Sequence, residues 1–106
     1  MPGIDFAVLR AQVSIFDVLY LLDFRPVSRR GDYVRGVCPF ECSTDPRRFV
    51  ANVVTNKFYC HCCKRGGNQL ELWSLARSMR FFDGAKDLCL RLNIPIPYLP
   101  TARRPS

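Results

Sequence analysis

Five of the six cysteines and the single histidine of this chain lie between Cys38 and Cys63. They fall in two short turns, Cys38-Pro39-Phe40-Glu41-Cys42 and Cys60-His61-Cys62-Cys63, separated by residues 43–59. Two turns that each offer a pair of thiolates are the donor pattern of a tetrahedral metal site, which ties the turns together. Cys60 and Cys63 have the Cys-x-x-Cys spacing that lets both sulfurs reach one ion, and Cys38 supplies a third. Matching spacing in the first turn would put the fourth ligand at Glu41, but the thiol stands one place later, at Cys42. Structural zinc prefers sulfur and nitrogen, and one extra loop residue costs little, so Cys42 is the preferred ligand. Glu41 is the alternative that the sequence leaves standing. His61 and Cys62 sit between two ligands, where their side chains are expected to point away from the metal. One structural Zn2+ is therefore the expected cofactor.

Other uses of these cysteines fit less well. A redox Cys-x-x-Cys would need a βαβ setting that the pattern does not offer. Four cysteines also hold iron–sulfur clusters, but paired hairpins lean to zinc. A secreted disulfide scaffold is disfavoured because residues 1–12 form no leader-like apolar block and the thiols crowd into two turns. There is no phosphate-binding glycine loop, no second histidine for a triad and no carboxylate cluster for magnesium. The chain is thus expected not to be an enzyme by itself, with no catalytic residues and no small-molecule substrate.

The turns need elements to position them. Residues 4–23 read as an N-terminal helical segment: Ile4, Ala7, Val8 and Ala11 are weakly periodic, whereas Ser14 with Asp17 resembles a capping box ahead of the face Ile15, Val18, Leu19, Leu22. Pro26 is expected to stop that helix. Residues 25–38 read as a hairpin turning at Arg29-Arg30-Gly31-Asp32, and residues 47–60 as a second hairpin turning at Asn56-Lys57. Each hairpin delivers one metal turn, so residues 25–65 form a zinc ribbon. Gly66-Gly67 is expected to break the strand and Asn68 to cap a helix with Leu72, Trp73, Leu75, Ala76 and Met79 on one side. A last helix is read from about Gly84 to Leu92, with Cys89 as a buried small hydrophobe. The expected fold is α+β: a small antiparallel ribbon of two hairpins, flanked by an N-terminal helix and two C-terminal helices (68–92). A single domain over 1–93 would then carry a Pro-rich basic tail, 94–106.

Sixteen Lys and Arg against nine Asp and Glu give a formal charge of +7, which points to polyanionic partners. Nine of those bases but three acids lie between residues 25 and 65, so the positive field is concentrated on the ribbon. No apolar run approaches a membrane-spanning length; no membrane association is expected, and the cytoplasm is the expected location.

Cys38-Pro39-Phe40, a loop with Pro46 then Phe49, Phe58-Tyr59-Cys60-x-x-Cys63 and Gly66-Gly67-Asn68 leading into a Leu/Trp helix together resemble the zinc-binding domain of bacterial DnaG-type DNA primases. The resemblance runs from about Ser14 to Leu92. It implies a zinc ribbon of the Cys-His-Cys-Cys family that helps recognise single-stranded template DNA. By position, Cys38, Cys60 and Cys63 match ligands, while the family histidine falls on Glu41 and the following interval is one residue longer than usual. That departure passes the role to Cys42 and makes the site all-cysteine. The polymerase domain with its acidic metal ligands is missing from these residues, so the chain looks like a free-standing template-reading module or a fragment.

The implied function is single-stranded DNA binding in replication or mobile-element DNA metabolism, with bases stacked on exposed rings and cations following phosphates. Candidate contacts are Arg47, Arg48, Lys57, Tyr59, Lys64 and Arg65, with Arg29, Arg30 and Arg35 at the rim. Phe49 and Phe58 are expected in the core. The competing reading is a zinc-stabilised adaptor that docks on a primase, helicase or transposition protein through the apolar segment Ile94–Leu99.

Overall fold

Two capping boxes set the helical frame. Ser14 accepts a hydrogen bond from Asp17 N–H while the Asp17 carboxylate accepts from Ser14 N–H, which starts α2 (Ile15–Leu21). Asn68 and Glu71 do the same for α3 (Gln69–Ala76). Each such cap contributes about 1 kcal/mol by satisfying otherwise orphaned donors. Before them lies α1 (Phe6–Gln12), capped by Asp5, and after them α4 (Phe81–Leu92). The computed structural model describes residues 3–42 and 44–99.

Between α2 and α3 the chain runs as an antiparallel meander of five strands: β1 (Pro26–Arg30), β2 (Tyr33–Gly36), β3 (Phe49–Asn52), β4 (Lys57–Cys60) and β5 (Arg65–Asn68), paired in that order. The two hairpins stand where they were expected. Gly31 takes a φ of +59° in the first turn, a conformation that favours glycine. The fifth strand was not expected: Gly66 and Gly67 continue the sheet, opposite Tyr59 and Phe58, instead of breaking it. Glycine is tolerated there because α3 follows at once and because a ring lies over Gly66.

Register divides the sheet into two faces. The rows Val34–Ala51–Phe58 and Phe49–Cys60 point inward and are buried, as the readings of Phe49 and Phe58 required. They pack with Leu9, Val13, Ile15, Val18, Leu70, Leu72, Trp73 and Leu88 in one core. Buried Gln69 clamps α3 to the α1–α2 link, its Nε2 donating to the carbonyls of Arg10 (3.0 Å) and Val13 (2.8 Å). Asn56, at the β3–β4 turn, accepts from Ile15 N–H at 2.8 Å and so anchors that hairpin to the start of α2.

Several boundaries differ from expectation for local reasons. α2 ends ahead of Asp23, which takes a φ of +58°, so Pro26 does not stop it but opens β1. Leu75 is exposed and Met79 lies beyond the end of α3. α4 begins at Phe81 rather than near Gly84; Gly84 lies inside the helix, where a Cβ would fall on Ser74 Oγ of α3. Trp73 and Cys89 are buried as expected, the indole N–H donating to Asp87 Oδ2 at 3.0 Å. Ile94 and Ile96 pack half-buried on the core, and Leu99 N–H donates to Gly3 O at 2.7 Å. Arg103 and Arg104 lie outside the described residues.

Candidate metal centre and nucleic-acid interface

β2 ends at Gly36 and β4 at Cys60, so the register that pairs β3 with both brings the two cysteine turns to one end of the sheet. There one sulfur from each of Cys38, Cys42, Cys60 and Cys63 lies within 4.8 Å of the others. Four sulfurs about 2.3 Å from a central zinc would be spaced by about 3.8 Å, so the cluster is close to the size the ion requires. Cys42 and Cys60 are already 3.3 Å apart.

The first turn accommodates its extra residue through the backbone. Glu41 N–H donates to Cys38 O at 3.1 Å, and Glu41 takes a φ of +61°, so its side chain is exposed while the next residue, Cys42, swings into the cluster. In the second turn Lys64 N–H closes on Cys60 O at 2.9 Å. His61 and Cys62 point outward: the imidazole packs edge-on against Tyr59 at 4.9 Å, and the Cys62 thiol donates to Cys42 O at 3.4 Å. Phe40, Phe58 and Phe49 form an aromatic wall behind the sulfurs, with successive centroids 5.8 Å apart.

The thiols themselves call for a cation. Removal from solvent raises the Cys38 and Cys42 thiols above 9.0, with the neighbouring Cys60 sulfur adding to the rise at both. Burial also opposes ionisation of Cys60, but the Cys63 N–H, the Cys42 thiol and the Cys62 N–H outweigh it and bring Cys60 down to about 7. Cys60 is thus the readier of the three to ionise, while burial, with the Cys60 sulfur adding to it, holds the protons on Cys38 and Cys42. A dication at the centre removes that conflict and ionises the set.

The other face of the sheet is open. Two rows run across it: Arg35–Val50–Tyr59–Gly66 and Arg30–Tyr33–Asn52–Lys57–Asn68. Cations and rings thus alternate around small central residues, and Tyr33 and Tyr59 are 51% and 38% exposed. Strands lie about 4.8 Å apart and the two tyrosines sit in neighbouring rows, offset by about 7 Å along the strand, so they stand about 12 Å apart diagonally across β3. Of the residues singled out from sequence, Arg30, Arg35, Lys57 and Tyr59 meet here. Arg29 and Arg65 do not: their register turns them to the opposite side, where Arg29 covers the Phe16 ring and Arg65 the Phe40 ring. Lys64 is exposed in the second metal turn. Arg47 and Arg48 border a depression of about 410 Å3 with His61, where Asp45 pairs with both guanidinium groups at 3.1 and 3.5 Å. That pairing holds the Asp45 carboxyl below its usual value, Arg47 contributing most. Tyr33, Asn52 and His61 were not singled out from sequence, although the alternation Tyr33-x-Arg35 and Lys57-x-Tyr59 carried the signal for one shared face.

Comparison with known proteins agrees with this fold. The family model of the CHC2 zinc finger, the zinc ribbon of DnaG, matches residues 4–104. The DNA primase of Staphylococcus epidermidis is 31% identical over 96 residues, covering 88% of this chain and 16% of the primase. That of Borreliella burgdorferi is 29% identical over 91 residues, covering 85% and 17%. The crystal structure of Aquifex aeolicus primase, with its zinc-binding and RNA polymerase domains, superposes with a TM-score of 0.72 at 26% identity, over 91% of this chain and 23% of that one. The chain therefore spans about a sixth of the primases it matches.

Proposed function

Because the chain belongs to the CHC2 zinc-finger family of DnaG-type zinc ribbons, we propose that it is a recognition module that binds single-stranded DNA on the open face of its sheet. A single structural zinc underlies this role, and we assign its ligands as Cys38, Cys42, Cys60 and Cys63. The ion holds the ends of β2 and β4 and thereby the register of the rows that meet the strand.

The observation that carries the reading is the alternation of cation and ring over those rows. Bases stack on Tyr33 and Tyr59, while Arg30, Arg35 and Lys57 follow the phosphates, with Arg47 and Arg48 beside them. The matched region is the zinc-binding part of the primases, which supports a role in template recognition rather than in catalysis. We place this role in replication or mobile-element DNA metabolism in the cytoplasm; no helix among the described residues is long and apolar enough to cross a membrane. The adaptor reading has less to draw on, since Ile94 and Ile96 are partly used by the chain's own core.

Titration of a fluorescent single-stranded oligonucleotide with the zinc-loaded protein tests the proposal. Three to five phosphate contacts predict a log–log salt slope of about −2 to −4. Absence of binding at low salt would remove the proposal.

A further inference from the structure

On the open face, Asn52 lies between Tyr33 and Lys57 in its row, in a depression of about 280 Å3 that Val50, Thr55 and Tyr59 also line. Its side-chain oxygen is fully used: it accepts from Val54 N–H at 2.9 Å and from Thr55 N–H at 3.0 Å, at the turn that ends β3. Two bonds exhaust the lone pairs of an amide oxygen and fix which way the amide faces. No hydrogen bond from Nδ2 to a protein acceptor is found among the described residues, and Asn52 stands in its row between the exposed Tyr33 and Lys57. A surface cation needs no such preparation to meet a phosphate. A donor with a fixed direction beside a stacking ring is suited to the edge of a base.

We propose that this depression is a base-reading subsite: an unstacked base lies against Tyr33, and Asn52 Nδ2 donates to a carbonyl or ring-nitrogen acceptor on its edge. The neighbouring Lys57 meets the adjoining phosphate. The proposal rests on the single-strand reading above and adds to it a residue that senses the base rather than the backbone. Because Asn52 offers donors alone, the edge that it reads is an acceptor edge; phosphate and sugar oxygens accept as well, and the abasic chain in the test separates them from the base.

The test compares wild type with Asn52→Ser, which keeps an oxygen for the turn and adds no charge, on two probes of about twelve nucleotides. One is oligodeoxyuridylate and the other an abasic chain of equal length. The substitution is expected to weaken oligodeoxyuridylate binding by about tenfold and to leave abasic binding unchanged. Equal loss on both probes would show that Asn52 acts by shaping the turn or by meeting a phosphate, and would overturn the proposal. So would a wild type that binds the two probes equally. If wild type binds neither, the single-strand reading fails first, and that result differs from either of the others. Thermal melting and zinc content of Asn52→Ser, expected to match wild type, guard the comparison.

Discussion

The ring of Tyr59 lies across the backbone of Gly66 on the neighbouring strand, so that a Cβ added at Gly66 would come within 2.8 Å of Tyr59 Cδ1. An edge-strand glycine usually weakens a sheet; here it is covered by an aromatic from the next strand, whose partner on its other side is Val50.

Gly66→Ala should therefore move Tyr59 off the surface without touching the sulfurs. The expected outcome is about a tenfold loss of single-strand affinity, the scale of one lost stacking contact, at unchanged zinc content. An oligonucleotide titration beside elemental analysis checks both parts. Unaltered affinity would show that the position of Tyr59 is irrelevant to binding.

The fourth ligand separates the Glu41 and Cys42 accounts. Cys42→Ala should lose zinc and, with it, most of the folding free energy, since metal binding in such domains contributes directly to folding. Glu41→Ala should retain one zinc per chain and melt near wild type, because Glu41 is exposed and outside the cluster. Elemental analysis of the two variants decides; zinc lost from Glu41→Ala but kept by Cys42→Ala would reverse the assignment.

Much of this site was legible because its signals are local. Ser14 with Asp17, Asn68 with Glu71 and the paired cysteines each act over a few residues, and the structure has them as caps and cluster. What escaped depends on register or on distant partners. That Arg29 and Arg65 turn inward while Arg30 and Arg35 turn outward follows from pairings between strands, and a slip of one residue would exchange them. The true start of α4 was hidden because Arg80 makes no side-chain cap, and the end of α2 because Asp23, not a proline, adopts the left-handed turn. The strand at Gly66-Gly67 forms against propensity because β4 and Tyr59 hold it.

Asp45 restrains the basic loop, its carboxylate pairing with Arg47 and Arg48. Asp45→Asn keeps Oδ1 as the acceptor for Arg47 N–H and Nε–H, which now bond at 2.9 and 3.1 Å, and removes the negative charge that pairs with both guanidinium groups. The variant should bind single strands more tightly at low salt, by roughly twofold to tenfold, with a steeper salt slope. Weaker binding would mean that Asp45 positions the arginines rather than restraining them.

Zinc affinity should depend steeply on pH. Cys60 is lowered to about 7 from 9.0, so the stability that its thiolate gives the metal-free fold is present above 9.0 and lost as pH falls through about 7. Cys38 and Cys42 are raised and keep their protons at neutral pH, so zinc must displace at least these. Two displaced protons make affinity fall by about a hundredfold per pH unit, more steeply below about pH 7 where Cys60 joins them. Competition with a chromophoric chelator between about pH 8 and about pH 6 measures this, and a flat profile would contradict thiol ligation.

The most direct test of the central claim, that the open face of the sheet receives the single strand, is an amide NMR titration of the zinc-loaded protein with oligodeoxyuridylate. The account predicts shifts concentrated at Arg30, Tyr33, Arg35, Val50, Asn52, Lys57 and Tyr59, with α4 and the inward rows unmoved. Shifts confined to the groove of Phe16, Tyr20 and Phe24 between α2 and β1, or to the helices, would contradict it.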